Sequence, residues 1–344
     1  MTNSKKLAKS LLLLRPRPFA SESLAGYQLR LAESNGYRSG IWLLRQLLGT
    51  RRTSSGTTTQ TNELASFLEL DSEEMSRLAY LYENSPWRSQ IHYFGQIVNR
   101  KHLRSNTPAI CPTCLKERAA TNGFWELRYA VACPFHETLL IDLCQGCGQP
   151  VTWHRSKVSE CPKCSFDYRN SAVEIAAEEV LEITKLIYST ANISLIDVPA
   201  RSTYQGMPIA ALQSESLDAL LWMFRCTARS LIFEPSSPSA QLMHSYSDCL
   251  LHEHGAVLAT AYILREWPDR ILERVYQLSS HSMGVSSTKS SQLLISLARP
   301  FMPQLFQQVA HAFIESSLLL YGERARVSEQ TYKQASLIIG TCSC

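Results

Sequence analysis

Four pairs of metal-ligating side chains follow one another at a single spacing in this chain of 344 residues: Cys111-x-x-Cys114, Cys133-x-x-His136, Cys144-x-x-Cys147 and Cys161-x-x-Cys164. A turn of this length lets two donors converge on one ion, with thiolates at about 2.3 Å, so eight donors are enough for two tetrahedral zinc sites. Seven of the eleven cysteines fall between Cys111 and Cys164, and such crowding in a chain of ordinary size points to metal rather than disulfides. Adjacent pairing would join Cys111, Cys114, Cys133 and His136 in one site and Cys144, Cys147, Cys161 and Cys164 in the other, across intervals of 18 and 13 residues. Each interval is a natural hairpin length, which favours this pairing over an interleaved, cross-braced one.

The chemistry expected of both ions is structural. A catalytic zinc keeps one position open for water and is held by three protein ligands, whereas each set here is complete at four. "HETLL" lacks the second histidine of an H-E-x-x-H helix, and no H-x-E precedes a P-C-x-x-C pair as in the deaminases. The expected contribution is folding energy, on the order of 10–16 kcal/mol per site in zinc-finger peptides. Other motifs add no reaction. His252 and His254 are two apart and do not share a helix face. Neither a G-x-x-x-x-G-K-[ST] loop nor a G-x-S-x-G elbow occurs, and in the closing "TCSC" Thr341 stands where a prenylated cysteine would be needed. No enzyme activity is expected.

The elements that must position these ligands divide the chain into three. Residues 1–105 read as a helical domain. Leu24, Tyr27 and Leu31 recur at helical spacing with Ser21 available as an N-cap, Ile41, Leu44 and Leu48 repeat the pattern, and a polar loop, "TRRTSSGTTTQTN", follows. "NELASFLELDSEEMSRLAYLYE" then has the outline of a helix-turn-helix: Leu64, Phe67 and Leu68 precede a tight turn, Asp71 and Glu74 fit a capping box, and Met75, Leu78, Ala79 and Tyr82 line the second helix. That helix opens on Glu73 and Glu74, where a DNA reader presents basic or amide groups, so packing or protein contact is favoured over base reading.

Residues 106–171 read as tandem zinc ribbons, with short β-prone pieces, "FWELRYAVAC", "TLLIDLC" and "PVTWHRS", between the ligand pairs. Residues 172–344 read as an all-α domain. Its periodicity starts at Val173, Ala176, Ala177, Val180 and Ile187, and further helices are expected over 215–233, 249–266, 268–279, 291–298 and 304–321, broken by "EPSSPS" and "SHSMGVSSTKS". The fold class is mainly α with small β.

Charge is uneven beneath a net +4. Residues 1–60 hold ten Lys/Arg against two acids, residues 61–171 balance at twelve each, and residues 172–344 hold twelve against sixteen. Arg15, Arg17, Arg51, Arg52 and the run Arg100, Lys101, His102, Arg104 could meet a DNA or RNA backbone or form a solvated face. The apolar run Leu11 to Leu14 is too short for a secretory core, and no segment approaches the roughly 18 apolar residues of a membrane span. A cytoplasmic protein is expected, without membrane partners.

Several of these segments resemble the TniQ family. "RPRPFASESLAGYQLRLAESNGY" is similar to its amino-terminal signature, in which a proline-flanked basic segment leads into an "ESL" helix start and an "NGY" turn. "ICPTCLKE", "FWELRYAVACPFHETLLIDLCQGCG" and "CPKC" resemble its double zinc ribbon, histidine included, and "AYILREWPDRILERVYQL" resembles its Trp-Pro helical segment. The resemblance covers residues 15–48 and 108–168 and continues more weakly to about 280.

The resemblance implies a Tn7-like transposon protein that chooses the insertion target and cuts no DNA. It further implies a CRISPR-associated member: a non-catalytic adaptor, acting as a homodimer, that links an RNA-guided Cascade-type ribonucleoprotein to the transposon's AAA+ regulator and transposase. A direct sequence-specific DNA-binding target selector of the same family is the alternative, and a zinc-ribbon transcription regulator the more distant one. Two structural zinc ions per chain are implied on either family reading.

Overall fold

A computed structural model of the chain describes residues 12–48, 58–81, 89–104, 107–192, 204–231, 250–273, 297–299 and 302–321. Arg51, Arg52, Tyr82, most of the "TRRTSSGTTTQTN" loop, the "EPSSPS" and "SHSMGVSSTKS" breaks, residues 274–279, most of the helix expected over 291–298 and the closing "TCSC" lie outside these residues. The chain divides into two compact units, with the break after Ala176; Ala177–Thr190 and Pro199–Cys344 make the second.

The first unit opens with four helices around one core. Helix α1 spans Leu24–Ser34, α2 Gly40–Leu48, α3 Thr58–Leu68 and α4 Ser72–Ala79. The apolar periodicities converge as expected: Tyr27, Leu31, Leu43, Leu44, Leu47, Leu64, Phe67, Leu68, Met75 and Leu78 form a buried cluster, with Leu24, Leu48 and Ala79 packed against it. Fully burying each such aliphatic side chain contributes roughly 1.5–3 kcal/mol, which is what holds helices of only eight to eleven residues in place.

Caps set the helix boundaries. Ser23, not Ser21, caps α1: its Oγ accepts the Gly26 N–H at 3.2 Å, while the Ser21 carbonyl instead accepts the Gly123 N–H at 2.7 Å. Asp71 Oδ1 accepts the Glu74 N–H at 2.7 Å, which is half of a capping box. The other half is missing, because the Glu74 carboxylate faces Arg17 Nη1 at 3.4 Å. Helix α3 begins at Thr58, inside the stretch read as loop.

The hairpin that follows was not anticipated in a domain read as helical. Strand β1 (Gln90–Tyr93) pairs antiparallel with β2 (Gln96–Asn99) across Phe94 and Gly95, whose φ values of 44° and 89° match the two left-handed positions of a type I′ turn. Ile91, Tyr93 and Val98 are buried, and Tyr93 Oη donates to the Gly123 carbonyl at 2.9 Å.

Residues 107–176 contain no ladder of strands, and the β-prone pieces fold otherwise. Pro112–Glu117 is a short helix (α5), and "GFWE", Gly123–Glu126, is a 3-10 turn. Only single bridges join Ile110 with Ile141, Ala132 with Leu139, Thr138 with Ile175, Leu143 with Pro150 and Glu160 with Asp167. The ligand turns consume the backbone groups that longer strands would need. This segment and the helices are tied by direct contacts: Ser23 Oγ donates to the buried Glu126 carboxylate, the Val158 N–H donates to Glu33 Oε2 at 2.9 Å, and the Arg118 guanidinium lies 4.6 Å over the Phe19 ring.

The second unit is helical, with α6 (Glu178–Ala191), α7 (Ile209–Gln213), α8 (Leu217–Leu231), α9 (Leu250–Leu264) and α10 (Gln304–Tyr321), and helical turns at 269–273. Val173 and Ala176, read as the start of helical periodicity, precede α6 in extended chain. Helices α8 and α9 are joined by a buried hydroxyl pair, Thr227 Oγ1 to Thr260 Oγ1 at 2.6 Å. Among the described residues no helix is long and apolar enough to cross a membrane.

Candidate metal centres

Three of the four ligand pairs sit on the same local turn. In each, the first cysteine's carbonyl accepts an N–H four residues on: Glu137 to Cys133 at 2.9 Å, Gly148 to Cys144 at 2.7 Å and Ser165 to Cys161 at 3.0 Å. The same cysteine's N–H donates to a carbonyl five residues on: Cys133 to Thr138 and Cys144 to Gln149, each at 2.8 Å, and Cys161 to Phe166 at 2.9 Å. The residue after the second ligand is left-handed every time, with φ of 56° at Glu137, 68° at Gly148 and 58° at Ser165. That reversal turns the chain back so that both donors face the same side. The first pair differs. Cys111 is the N-cap of α5, its Sγ accepting the Cys114 N–H at 3.4 Å, and Pro112 supplies the fixed φ of a first helical residue.

The four turns bring their donors together as two adjacent pairings. The donor atoms of Cys111, Cys114, Cys133 and His136 all lie within 4.8 Å of one another, and so do those of Cys144, Cys147, Cys161 and Cys164. In the first group His136 Nδ1 stands 3.5 Å from Cys111 Sγ, 3.3 Å from Cys114 Sγ and 3.5 Å from Cys133 Sγ, with Cys114 and Cys133 sulfurs 3.6 Å apart. In the second, Cys144 and Cys164 sulfurs are 3.6 Å apart and those of Cys147 and Cys161 3.8 Å.

Zinc bonds of about 2.3 Å to sulfur and 2.0–2.1 Å to nitrogen imply tetrahedral edges of roughly 3.7–3.8 Å between sulfurs and 3.5–3.6 Å from sulfur to nitrogen. Both donor sets are therefore compatible with zinc. Cys111, Cys114, Cys133 and His136 would hold one ion and the four remaining cysteines the other.

Glu117 completes the first centre and was missed in the sequence. Its Oε1 lies 3.0 Å from His136 Nε2, leaving Nδ1 to face the sulfurs, the carboxylate–histidine arrangement that fixes the tautomer of a metal ligand. The signal was there: Glu117 is three residues after Cys114 on α5, on the same helical face. Partial burial lowers the affinity of His136 for its proton, but the Glu117 hydrogen bond and the Cys111 sulfur outweigh it, so its pKa is raised.

The clustered thiols do not ionise independently. Hydrogen bonds from the Cys114 and Cys133 thiols pull Cys111 down to about 2, while contact with Cys111 pushes Cys133 up to about 12 and Cys114 far up as well. A divalent cation would hold all three as thiolates and release their protons, so affinity weakens as the solution is acidified.

The turn beside the second centre is organised by a buried cation. Arg155 is 1% exposed; its Nε lies 3.1 Å from the Lys157 carbonyl and 3.2 Å from that of Val158, Nη1 donates to the Thr152 carbonyl, and the guanidinium sits over the Trp153 and Tyr168 rings. Burial lowers its pKa to about 10, so it remains charged at neutral pH.

The basic residues offered as backbone contacts are placed less uniformly. Arg104 is buried, donating to the Trp125 carbonyl at 2.7 Å and the Ala130 carbonyl at 3.1 Å, and His102 is fully buried beside it in sequence. Neither can reach a phosphate, which leaves Arg100 and Lys101 of that run exposed. Arg15 Nε binds the Phe67 carbonyl at 3.3 Å and Arg17 binds Glu74, so both fasten the amino-terminal segment to α3 and α4. His252 and His254 on α9 join no metal-ligating group among the described residues.

Among the described residues the protein is about half helical with a small two-stranded sheet, and its first unit carries two Cys/His clusters able to hold metal ions. The TniQ family model matches residues 13–140, a span from the basic proline segment through all four donors of the first cluster. Over this stretch the chain is similar to the TniQ family. The "ESL" element of that span is structural: Ser23 caps α1, and Glu22 forms a two-point ion pair with Arg30 at 2.7 and 2.9 Å. No curated protein matches the chain.

Proposed function

We propose that the protein is a non-catalytic target-selection adaptor of a Tn7-like transposon, linking a Cascade-type RNA-guided complex to the transposon's AAA+ regulator. The observation that carries this reading is the TniQ match over residues 13–140. Two features support the non-catalytic part. Each donor set closes at four, leaving no position for a reactive water, and the donors sit on rigid local turns. On this reading both ions are structural zinc, and the ribbons are rigid connectors between helical docking surfaces.

The adaptor reading over direct DNA recognition is favoured by α4, which opens on Glu73 and Glu74 and whose Arg77 donates to the Ala20 carbonyl at 2.6 Å rather than facing outward. A homodimer is part of the proposal. Purified protein loaded with zinc should co-elute with the Cascade encoded in the same transposon, and with its AAA+ regulator. Absence of any association under those conditions would overturn the adaptor reading. The direct-binding reading rests on the exposed Arg38, just before α2, and Arg45 on that helix. It would be favoured by a gel shift on a defined duplex that weakens steeply with salt.

A further inference from the structure

The segment Ala172–Ala176 is an exposed extended stretch, joined by a single antiparallel bridge to the segment that links the two metal centres. The Leu139 N–H donates to the Glu174 carbonyl at 2.8 Å, and the Ala176 N–H to the Glu137 carbonyl at 2.9 Å. Gln145 clamps the other end, its side chain exchanging two hydrogen bonds with the backbone of Ala172 at 3.0 and 2.8 Å. Thr138 and Ile175 are thus directly opposite in an antiparallel pair, and it is their neighbours that make the hydrogen bonds. In that geometry the N–H and C=O of the central residue point away from the partner strand. Ile175 therefore presents one donor and one acceptor outward.

The side chains at this edge are also unusual for a solvent face. Ile175 is 81% exposed and Val173 45%, whereas most large aliphatic residues among those described are buried. Edges of this kind are normally blunted by lysine, proline or a covering loop, because open backbone groups beside apolar side chains template a further strand. The charges here are acidic instead: Glu174 lies between the two apolar residues, and Glu137, whose carbonyl holds Ala176, is exposed as well.

We propose that Ala172–Ala176 is a docking site for an extended segment of a partner protein, added as a strand and carrying alternating aliphatic and basic residues. Backbone pairing to Ile175 would supply register, Val173 and Ile175 the apolar contact, and Glu174 the preference for lysine or arginine. A second copy of the same edge is a poor occupant, because antiparallel self-pairing brings Glu174 residues of like charge close together. The inference stands apart from the transposition role and requires only that the first unit be folded.

The test uses the full-length zinc-loaded protein and a short capped peptide alternating valine and lysine. Bound peptide should slow amide exchange at Ile175 by at least roughly tenfold, and Glu174→Lys should weaken binding by about tenfold. The same peptide N-methylated on alternate residues should not bind. Ile175→Pro should abolish binding with zinc content unchanged, because the amide it removes makes no backbone bond among the described residues. If that variant does not fold, Glu174→Lys and the N-methylated peptide decide the matter. Equal affinity for the N-methylated peptide, no protection at millimolar peptide, or a self-association of the chain that Ile175→Lys removes would each overturn the proposal.

Discussion

Glu117 Oε1 stands 3.0 Å from His136 Nε2, so the ring presents Nδ1 to the three sulfurs of the first cluster. The carboxylate raises the basicity of the ligand nitrogen and fixes its orientation, while both residues keep the chain path set by α5 and the Cys133 turn. Glu117→Gln should lower zinc affinity at the first centre by roughly 10–100-fold and leave the second unchanged. Chelator competition on the purified protein, with the two ions distinguished by their release rates, measures this. Equal loss at both centres would contradict the assignment.

Two closed donor sets imply two zinc ions per chain by elemental analysis. Cys144→Ser should reduce that to one and unfold the turns around residues 144–168, while α1 to α4 remain folded on their own apolar core. Loss of the second ion with an intact α1–α4 core would be seen as a partial loss of tertiary NMR dispersion. A wild-type value of one ion per chain would refute the pairing.

Glu126 titrates near the physiological range. Complete burial pushes its carboxyl up to about 7 from 4.5, against the hydrogen bonds from Ser23 and Tyr80 that favour the ionised form. The folded state therefore holds a proton that the unfolded chain releases above about pH 4.5. The stabilisation from that proton is fully present below 4.5 and is lost as pH rises through 7, a change on the order of 3 kcal/mol. Glu126→Gln should remove this slope, so the difference in unfolding free energy between variant and wild type should shift in favour of the variant from pH 5 to pH 8. Comparing the two at each pH cancels the titration of the cysteines, which they share. A difference independent of pH would show that Glu126 is ionised throughout.

The repeated ligand turn predicts opposite outcomes at equivalent positions. Gly148→Ala places a side chain at φ 68° and should destabilise the zinc-loaded protein by about 1–2 kcal/mol, whereas Ser165→Gly relieves the same conformation and should be neutral or stabilising by up to about 1 kcal/mol. Thermal melts at fixed zinc concentration test both. Destabilisation by Ser165→Gly would mean that its side chain, and not its backbone, carries the turn.

Helix packing and donor convergence were largely legible because both depend on spacing. Leu64, Phe67, Met75 and Leu78 fall on single helix faces, and those faces meet in one cluster. Less legible were the places where tertiary contact overrides local preference. The β1–β2 hairpin is only four residues a side, too short for periodicity to stand out, yet Tyr93 is anchored from outside by Gly123. "GFWE" has strand-like residues but curls into a 3-10 turn that puts Phe124 and Trp125 inside. Arg104 looks like a surface cation in sequence and is instead spent on two carbonyls in the interior.

By itself the sequence determined the local chemistry: two-residue spacing makes each Cys/His pair converge, because a turn of four residues has few ways to fold. The tertiary structure alone decided which cations reach solvent, and that Val173–Ala176 runs as an open extended stretch rather than as the first turn of α6. The reason is that these depend on backbone hydrogen bonds and burial between segments distant along the chain. Thr138 and Ile175 are 37 positions apart and Glu117 and His136 19, separations across which no periodicity carries information.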